Sequence, residues 1–169
     1  MDFGELIAKR YSVRAYKADP VPEELLGKVL EAARLAPTAA NRQPFLVYVV
    51  RTAGREQELG KVYHRHWFTQ APLALCVCTV PAQAWLRVKF DSKCYADVDA
   101  AIVMDHMILA AAEAGLGTCW IADFNPAAAR EVLNLPEGVE PVLFTPLGFP
   151  ADEPKPKERK PLAELVRRI

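Results

Sequence analysis

Residues 97–115, DVDAAIVMDHMILAAAEAG, say the most about how this chain folds. Apolar side chains recur there on more than one side of a helix, and Gly115 stands where helices commonly end in glycine. A helix of this kind would expose apolar surface if it lay on the outside of the protein. The stretch therefore predicts a long helix at the centre of the domain or in a subunit interface.

Runs of apolar and β-branched residues on both sides of this helix predict a sheet. Strands are expected at residues 45–50 (FLVYVV), 72–80 (PLALCVCTV), 118–121 and 139–148. The last contains Pro141 and Pro146, which have no backbone N–H to donate, so an edge or bulged position is expected for it. Amphipathic spacing predicts helices at residues 2–9, 22–36, 55–62 and from 126 onward. Two of these helices, the second and the fourth, have a proline in the first turn.

Composition bounds the class of protein. The 169 residues are 51% hydrophobic, which fits one domain spanning residues 1–169. The 21 basic and 21 acidic residues balance, so neither nucleic acid nor an anionic membrane is expected as a partner. No run approaches the roughly 20 apolar residues of a spanning helix, and the acidic N-terminus lacks a signal-peptide core. Four cysteines without a disulfide framework predict a reduced, cytoplasmic protein.

The segment Arg10-Tyr11-Ser12-Val13-Arg14 alternates in polarity. In an extended chain Arg10, Ser12 and Arg14 lie on one face, and Tyr11 and Val13 lie on the other. Two guanidinium groups with a small hydroxyl between them suit the oxygens of a phosphate. The alternative is a solvated edge strand whose arginines face water.

Three other segments could complete a ligand site. Residues 36–44 (APTAANRQP) combine small side chains with the hydrogen-bonding groups of Thr38, Asn41 and Gln43. Residues 115–124 (GLGTCWIADF) could turn tightly and aim backbone amides at a ligand, and residues 157–162 (KERKPL) carry cations on a proline-stiffened stretch. Each has an ordinary alternative: a helix-to-strand loop, a helix cap followed by a core strand, and a solubilising tail.

A metal site is not expected. His64 and His66 could ligate a metal together if they lay on a strand, but no matched pair of cysteines or carboxylates follows at a suitable spacing. His106 is expected to pack in the core or in an interface. Cys119 is expected to pack as a small residue and not to act as a reactive thiol.

Together, four segments resemble the nitroreductase family of FMN-dependent, NAD(P)H-using flavoenzymes. RYSVR resembles the family's R-R-S-x-R opening, APTAANRQPF its P-S-x-x-N-x-Q-P-W loop, DHMILAAAEAGLGTCWI its helix and glycine-rich turn, and KERKPLAELV its closing K-x-R-K-P-L. They occur in the family's order and cover nearly the whole chain. The resemblance implies an α+β fold with a central, mostly antiparallel sheet flanked by helices. It also implies an intertwined homodimer with an exchanged C-terminal arm (residues 151–169).

The resemblance further implies the residues of an FMN site. The FMN phosphate and ribityl chain would be bound by Arg10, Ser12 and Arg14, by the backbone of Tyr11, and by Lys157 and Arg159. The same flavin would be reached from the other subunit by Pro37, Thr38 and Asn41. Its isoalloxazine ring would lie along Trp120, Ile121 and Ala122, with a backbone amide near the reactive N5.

The irregular segment at residues 81–93, with Trp85 and Phe90, is predicted to form a mobile wall of the acceptor pocket. The alternative is that both rings pack under a loop. No glycine-rich dinucleotide fingerprint is present, so NAD(P)H would share the flavin pocket with the small-molecule acceptor. The implied activity is ping-pong electron transfer from NAD(P)H through FMN to nitroaromatics, quinones or similar acceptors, with no side chain as catalytic acid or base.

Two other classes of function fit the same resemblance. One is a flavoenzyme of the same fold with other chemistry, such as reductive dehalogenation or oxygen-dependent flavin fragmentation, for which residues 81–93 would be the discriminating feature. The other is a non-catalytic protein that binds or senses flavin, and steady NAD(P)H turnover would argue against it.

Overall fold

The computed structural model describes residues 1–169 and contains seven α-helices and four strands. The helices are α1 (Phe3–Lys9), α2 (Glu23–Leu35), α3 (Glu56–Val62), α4 (Trp67–Gln70), α5 (Ala96–Glu113), α6 (Pro126–Leu133) and α7 (Leu162–Leu165). The strands are β1 (Phe45–Arg51), β2 (Leu73–Thr79), β3 (Gly117–Thr118) and β4 (Glu140–Gly148). Short 3-10 turns lie at Ala39–Asn41 and Pro81–Gln83.

The strands form one sheet in the order β1-β2-β4-β3, and every pairing is antiparallel. This confirms the expected α+β architecture with an antiparallel sheet. β1 forms an edge of the sheet, and β2 lies inside it with every side chain buried. A strand that is buried on both faces has no need of polar residues, which explains the continuous apolar run in its sequence.

Side chains of β2 alternate between two cores, one on each face of the sheet. Cys76 and Cys78 face a core that also contains residues of α3, α4 and α6. Leu75 and Val77 face a second core built with α2 and α5. The two thiols lie 3.5 Å apart. Burial raises the pKa of Cys76, so it packs as a neutral, small apolar group.

The long helix α5 lies at the centre of the second core, as its sequence predicts. It packs against α2 and against the sheet, and Met104 and Met107 are buried between them. Part of its apolar surface remains uncovered in one chain, since Val98 is 41% exposed. None of the seven helices combines the length and hydropathy that a membrane crossing demands.

The predicted edge position of β4 is wrong, because β4 pairs with β2 on one side and β3 on the other. The bulge is confirmed: the register with β2 shifts close to Pro141. The register with β3 would set Pro146 opposite Cys119. Because Pro146 has no N–H, the pairing is interrupted there, and the N–H of Cys119 donates to Oγ1 of Thr145 at 3.1 Å.

The strand predicted at residues 118–121 is therefore split. β3 covers only Gly117–Thr118, and Ile121 rejoins β4 through a single bridge with Phe144. The sequence showed the apolar character of this stretch but not the proline that would lie opposite it.

The N-terminal segment (residues 10–17) docks beside β3. Ser12 pairs in parallel with Thr118, and the N–H of Val13 donates to the carbonyl of Thr118 at 2.9 Å. A Cβ on Gly117 would lie only 2.8 Å from a methyl carbon of Val13. Gly117 is thus required for close approach, whereas the turn itself depends on the left-handed backbone of the glycine two residues earlier.

We expect Gly117→Ala to lower the free energy of unfolding by about 1–3 kcal/mol, because Val13 must shift to admit the new methyl group. Urea denaturation measures the change. Gly27→Ala is the matched control, since nothing lies within 4 Å of its Cβ position in α2. That control should stabilise the helix by up to about 1 kcal/mol. Equal stability of Gly117→Ala and the wild type would contradict the proposed close packing.

Candidate functional site

The two ends of the chain meet beside β3. Tyr16 pairs with Pro150, and the N–H of Ala151 donates to the carbonyl of Ala15 at 2.9 Å. The chain that leaves β4 therefore runs back along the N-terminal segment. This pairing places the first part of the C-terminal arm against the RYSVR motif.

A cleft of about 360 Å³ lies between the N-terminal segment and the C-terminal arm. Its lining contains the cations Arg10, Arg14, Lys155, Lys157 and Arg159, the acids Asp152, Glu153 and Glu158, and Tyr11, Ser12 and Pro156. Cations outnumber carboxylates, and only one lining residue is hydrophobic. The cleft therefore has the size and charge for a small anionic group, such as a phosphate.

Val13 follows the alternation predicted for RYSVR, whereas Tyr11 is shared between the core and the cleft. Val13 is 1% exposed, and Tyr11 packs against the core that contains Val13. Arg10, Ser12 and Arg14 line the cleft. Arg14 is exposed to water, as in the alternative considered for this motif, and the arm supplies further cations to the same cleft.

Asp152 ties the C-terminal arm to the N-terminal segment. Its Oδ2 accepts a hydrogen bond from the backbone N–H of Arg14 at 2.8 Å. Its backbone carbonyl and its Oδ1 accept from the hydroxyl of Tyr11 at 2.7 and 3.2 Å. Sequence reasoning missed Asp152 and gave Tyr11 a backbone role only. A single acid in a tail rich in charge and proline carries no pattern that would distinguish it.

Lys157 lies among like charges. Loss of hydration, together with the positive charges of Arg10 and Arg159, lowers the pKa of Lys157. Its ammonium group donates to the carbonyl of Ala8 in the last turn of α1. An anion bound between these three cations would offset their mutual repulsion and favour the charged lysine.

The predicted residues Pro37, Thr38 and Asn41 lie in the loop after α2 and do not line this cleft. Pro37 and Asn41 are exposed. Oγ1 of Thr38 accepts a hydrogen bond from the N–H of Gln43 at 3.0 Å, which closes the loop on itself. The fold of one chain therefore does not bring these residues to the cations.

Of the three residues predicted along the flavin ring, Ile121 differs from its neighbours. Its side chain is 3% exposed, and its N–H donates to the carbonyl of Phe144 at 2.9 Å. Neither its side chain nor its amide is available to a ligand. Trp120 and Ala122 are exposed, and their N–H groups donate to no group of the chain. These two amides are the ones that a ligand could reach.

The segment before α5, predicted to be irregular, forms a small hairpin. Leu86 pairs antiparallel with Cys94, and the ring of Trp85 packs edge-on against Tyr95 with ring centroids 5.2 Å apart. Phe90, close to the turn, is 85% exposed. Neither Trp85 nor Phe90 lines the cationic cleft. Trp85 follows the packing alternative considered for this segment, whereas Phe90 contacts no core.

The remaining candidate residues from the sequence are two histidines, His64 and His66, and the cysteine Cys119. His64 and His66 occupy the exposed connection between α3 and α4 and not a strand. Nowhere in the chain do three His, Cys, Asp or Glu side chains converge as metal ligands. Cys119 is buried, as predicted, and burial raises the pKa of its thiol despite the opposing charge of Arg14.

Comparisons with known proteins place this geometry in a family. Residues 7–67 and 54–149 match the family described as Nitroreductase family. A solved nitroreductase family protein from Clostridium difficile is 40% identical, with a TM-score of 0.91 over 99% of this chain and 98% of that chain. The NADH dehydrogenase of Thermus thermophilus is 29% identical over 94% of this chain and 91% of its own length. The FMN reductase (NAD(P)H) of Bacillus subtilis is 30% identical over 89% of this chain and 66% of its own length.

The chain belongs to the nitroreductase family and is an oxidoreductase of that family.

Burial, and after it the charge of Asp152, raises the pKa of Tyr11 from about 10 to about 12. Asp152→Asn keeps an acceptor for the Arg14 amide but removes the charge, so the pKa of Tyr11 should fall without reaching 10. Ultraviolet titration of the phenolate measures it, with Tyr11→Phe to identify this hydroxyl. An unchanged titration in Asp152→Asn would show that the two groups are not in contact.

The same pKa predicts a pH dependence of stability. Because the folded-state pKa of Tyr11 lies above the unfolded value, its contribution is complete below pH 10 and is lost as the pH rises toward 12. The free energy of unfolding of Tyr11→Phe should therefore fall less over this range than that of the wild type.

Proposed function

We propose that the chain binds FMN at the cationic cleft and passes electrons from NADH or NADPH to small oxidised acceptors such as nitroaromatics or quinones. Family membership supports an oxidoreductase. The names of two similar proteins, an FMN reductase and a NADH dehydrogenase, support a flavin and a nicotinamide donor.

The observation that carries the proposal is a cleft whose cations come from both ends of the chain. Arg10 and Arg14 come from one end, and Lys157 and Arg159 come from the other. A phosphate monoester carries about −1.5 to −2 charges at neutral pH and offers three acceptor oxygens. Guanidinium groups suit those oxygens, and the lining of the cleft carries more cations than carboxylates.

FMN fits this cleft better than FAD. The phosphate of FMN is terminal, whereas that of FAD continues into an adenosine group. The arm lies across the RYSVR motif and is fastened there by the contacts of Asp152 with Arg14 and Tyr11. With the arm in this position the cleft has room for a terminal phosphate, and an adenosine extension would have to pass the arm.

The ring of the flavin would lie near the exposed amides of Trp120 and Ala122. These N–H groups are free because backbone groups alternate in direction: Cys119 and Ile121 donate toward β4, and their neighbours point away from it. Free N–H groups at a sheet edge can stabilise negative charge that develops on a bound ring. Pro37, Thr38 and Asn41 would contact the ring from the second subunit.

When bound, FMN would supply the redox chemistry, accepting hydride from NAD(P)H and releasing electrons to the acceptor. The chain binds the phosphate, orients the ring and offers the two amides to it. No side chain is required as an acid or base. Since the chain has no separate dinucleotide fingerprint, donor and acceptor would occupy the same pocket in turn, which gives ping-pong kinetics.

Of the two aromatic residues of the hairpin, Phe90 is the one available to an acceptor. Its ring is 85% exposed, whereas that of Trp85 is half-buried against Tyr95. We assign Phe90 to the wall of the acceptor pocket and Trp85 to the support of the hairpin.

The proposed active form is a homodimer with exchanged arms. β1 has no partner on its outer side, and a groove of about 630 Å³ beside it is lined by apolar residues such as Leu26 and Val49, by the acids Glu23 and Glu56 and by one base, Arg51. Every residue from 161 to 169 is exposed in one chain, with Leu162 and Leu165 more than half exposed. The end of the arm is apolar and basic, so it complements this groove in another copy.

We expect the protein to bind FMN, and NADH or NADPH to bleach its flavin absorbance under anaerobic conditions, with recovery on addition of a quinone. Arg10→Ala and Arg159→Ala should each weaken FMN binding by roughly ten- to a hundredfold, because each removes a charged hydrogen bond to phosphate. Titration of the flavin-free variants with FMN measures the loss.

Arg34→Ala is the matched control, since its guanidinium pairs with Glu31 on the exposed face of α2. It should leave FMN affinity unchanged. Unaltered affinity in both Arg10→Ala and Arg159→Ala would place the phosphate elsewhere. FAD as the sole flavin released on heating, or a bound flavin that neither nucleotide reduces, would refute the proposal.

Light scattering over a dilution series should show a dimer. Leu165→Ser should raise the dimer dissociation constant by roughly tenfold or more, because a leucine buried in each of two equivalent contacts contributes about 1.5–3 kcal/mol. Glu164→Ser on the same turn of α7 is the polar control. A flavin-loaded monomer at all concentrations would contradict the dimer.

A further inference from the structure

The loop between α2 and β1 holds a strained backbone. Ala40, Asn41 and Gln43 adopt φ values of 51°, 53° and 50°, in the left-handed region that favours glycine. Ala40 has no polar side chain that could compensate by a local hydrogen bond. Three such residues within four positions persist only where the surroundings hold them, and such strain concentrates at functional sites.

One hydrogen bond ties this part of the loop to α5. The N–H of Ala39 donates to Oδ1 of Asp99, on α5, at 2.8 Å. The N–H of Phe45, at the start of β1, donates to the carbonyl of Gln43, and the remaining hydrogen bonds of residues 37–43 are internal, such as the one from the N–H of Gln43 to Oγ1 of Thr38. Asp99 is therefore the link between the strained loop and the rigid helix beneath it.

Asp99 itself depends on the loop. Its side chain is buried, with the residue 1% exposed, and its Oδ2 has no hydrogen-bond partner. The Ala39 amide is the one donor that this carboxylate has within the chain. If the loop moved away, a buried carboxylate would be left with no partner at all, which is highly unfavourable. The need of the Asp99 carboxylate for a hydrogen-bond donor therefore opposes detachment of the loop from α5.

We propose that Asp99 is a positioning residue that holds residues 38–43 in the conformation with which Thr38 and Asn41 contact the flavin. The flavin contact rests on the function proposed above, whereas the tether stands on the geometry of the chain alone. Asp99 touches no ligand. It acts through the Ala39 amide, and α5 gives it a fixed place because that helix packs on α2 and on the sheet.

Two measurements on Asp99→Ala test the tether. Hydrogen exchange of the amide of Ala39 should become at least tenfold faster in the flavin-free protein. FMN affinity should fall roughly tenfold. Asp105→Ala is the matched control, because Asp105 is an exposed acid on the same helix. Asp99→Asn keeps an acceptor oxygen and nearly the same volume, so it should retain both exchange protection and affinity within about threefold.

A double-mutant cycle with Ala40→Gly distinguishes a positioning role from a general loss of stability. Glycine relieves the strain at position 40, so the tether has less to oppose. The loss of FMN affinity from Asp99→Ala should shrink to less than threefold in the Ala40→Gly background. An equal loss in both backgrounds would overturn the positioning role, and unchanged exchange at Ala39 in Asp99→Ala would overturn the tether. If the wild type binds no FMN, the function proposed above fails, and the exchange measurement still decides the tether.

Discussion

The close contact of Val13 with Gly117 is the constraint on which the site depends. It lets the backbone of the N-terminal segment come near enough to β3 for the N–H of Val13 to reach the carbonyl of Thr118. With Val13 buried, the alternation of an extended chain leaves Arg10, Ser12 and Arg14 facing outward. Because residue 117 is a glycine and has no Cβ, the N-terminal segment can dock in the position that places the guanidinium groups of Arg10 and Arg14 in the cleft.

The second half of the site follows from the same docking. Because the N-terminal segment lies beside β3, the chain that leaves β4 can pair with it, and Asp152 can reach the Arg14 amide and the Tyr11 hydroxyl. The arm then adds Lys157 and Arg159 to a cleft that already holds positive charge. Concentrated like charge is unfavourable in the free protein, so a bound anion would stabilise the arrangement. The fold holds Arg10 and Arg14 in place through their backbone, since the N–H of Arg10 donates to the carbonyl of Leu6 and the N–H of Arg14 donates to Asp152.

Irregular pairing at β4 leaves free the backbone amides proposed to contact the flavin ring. Pro146 interrupts the pairing of β4 with the chain after β3, and Ile121 restores it. The amides of Trp120 and Ala122 then point away from the sheet with no partner. In the loop between α2 and β1, the strained backbone is held to α5 by the hydrogen bond from the N–H of Ala39 to Asp99. Two irregular features of the fold, the interruption at Pro146 and the left-handed residues of the loop, thus lie beside groups proposed to contact the ligand.

Patterns in the sequence predicted most of the helices and strands and the outward cations of the RYSVR motif. A continuous apolar run predicts a buried strand, an all-round apolar helix predicts a central one, and alternation in RYSVR predicts its outward cations, since each of these depends only on neighbours along the chain. Tertiary structure alone decided the interior position of β4, the split at Pro146, the packing role of Gly117, the burial of Ile121, and the contacts of Asp152 and Asp99. Each of these depends on which residue lies opposite or beneath it in space. The partner of Asp99 is 60 positions away and that of Asp152 is 138 positions away, and no local pattern records such distances.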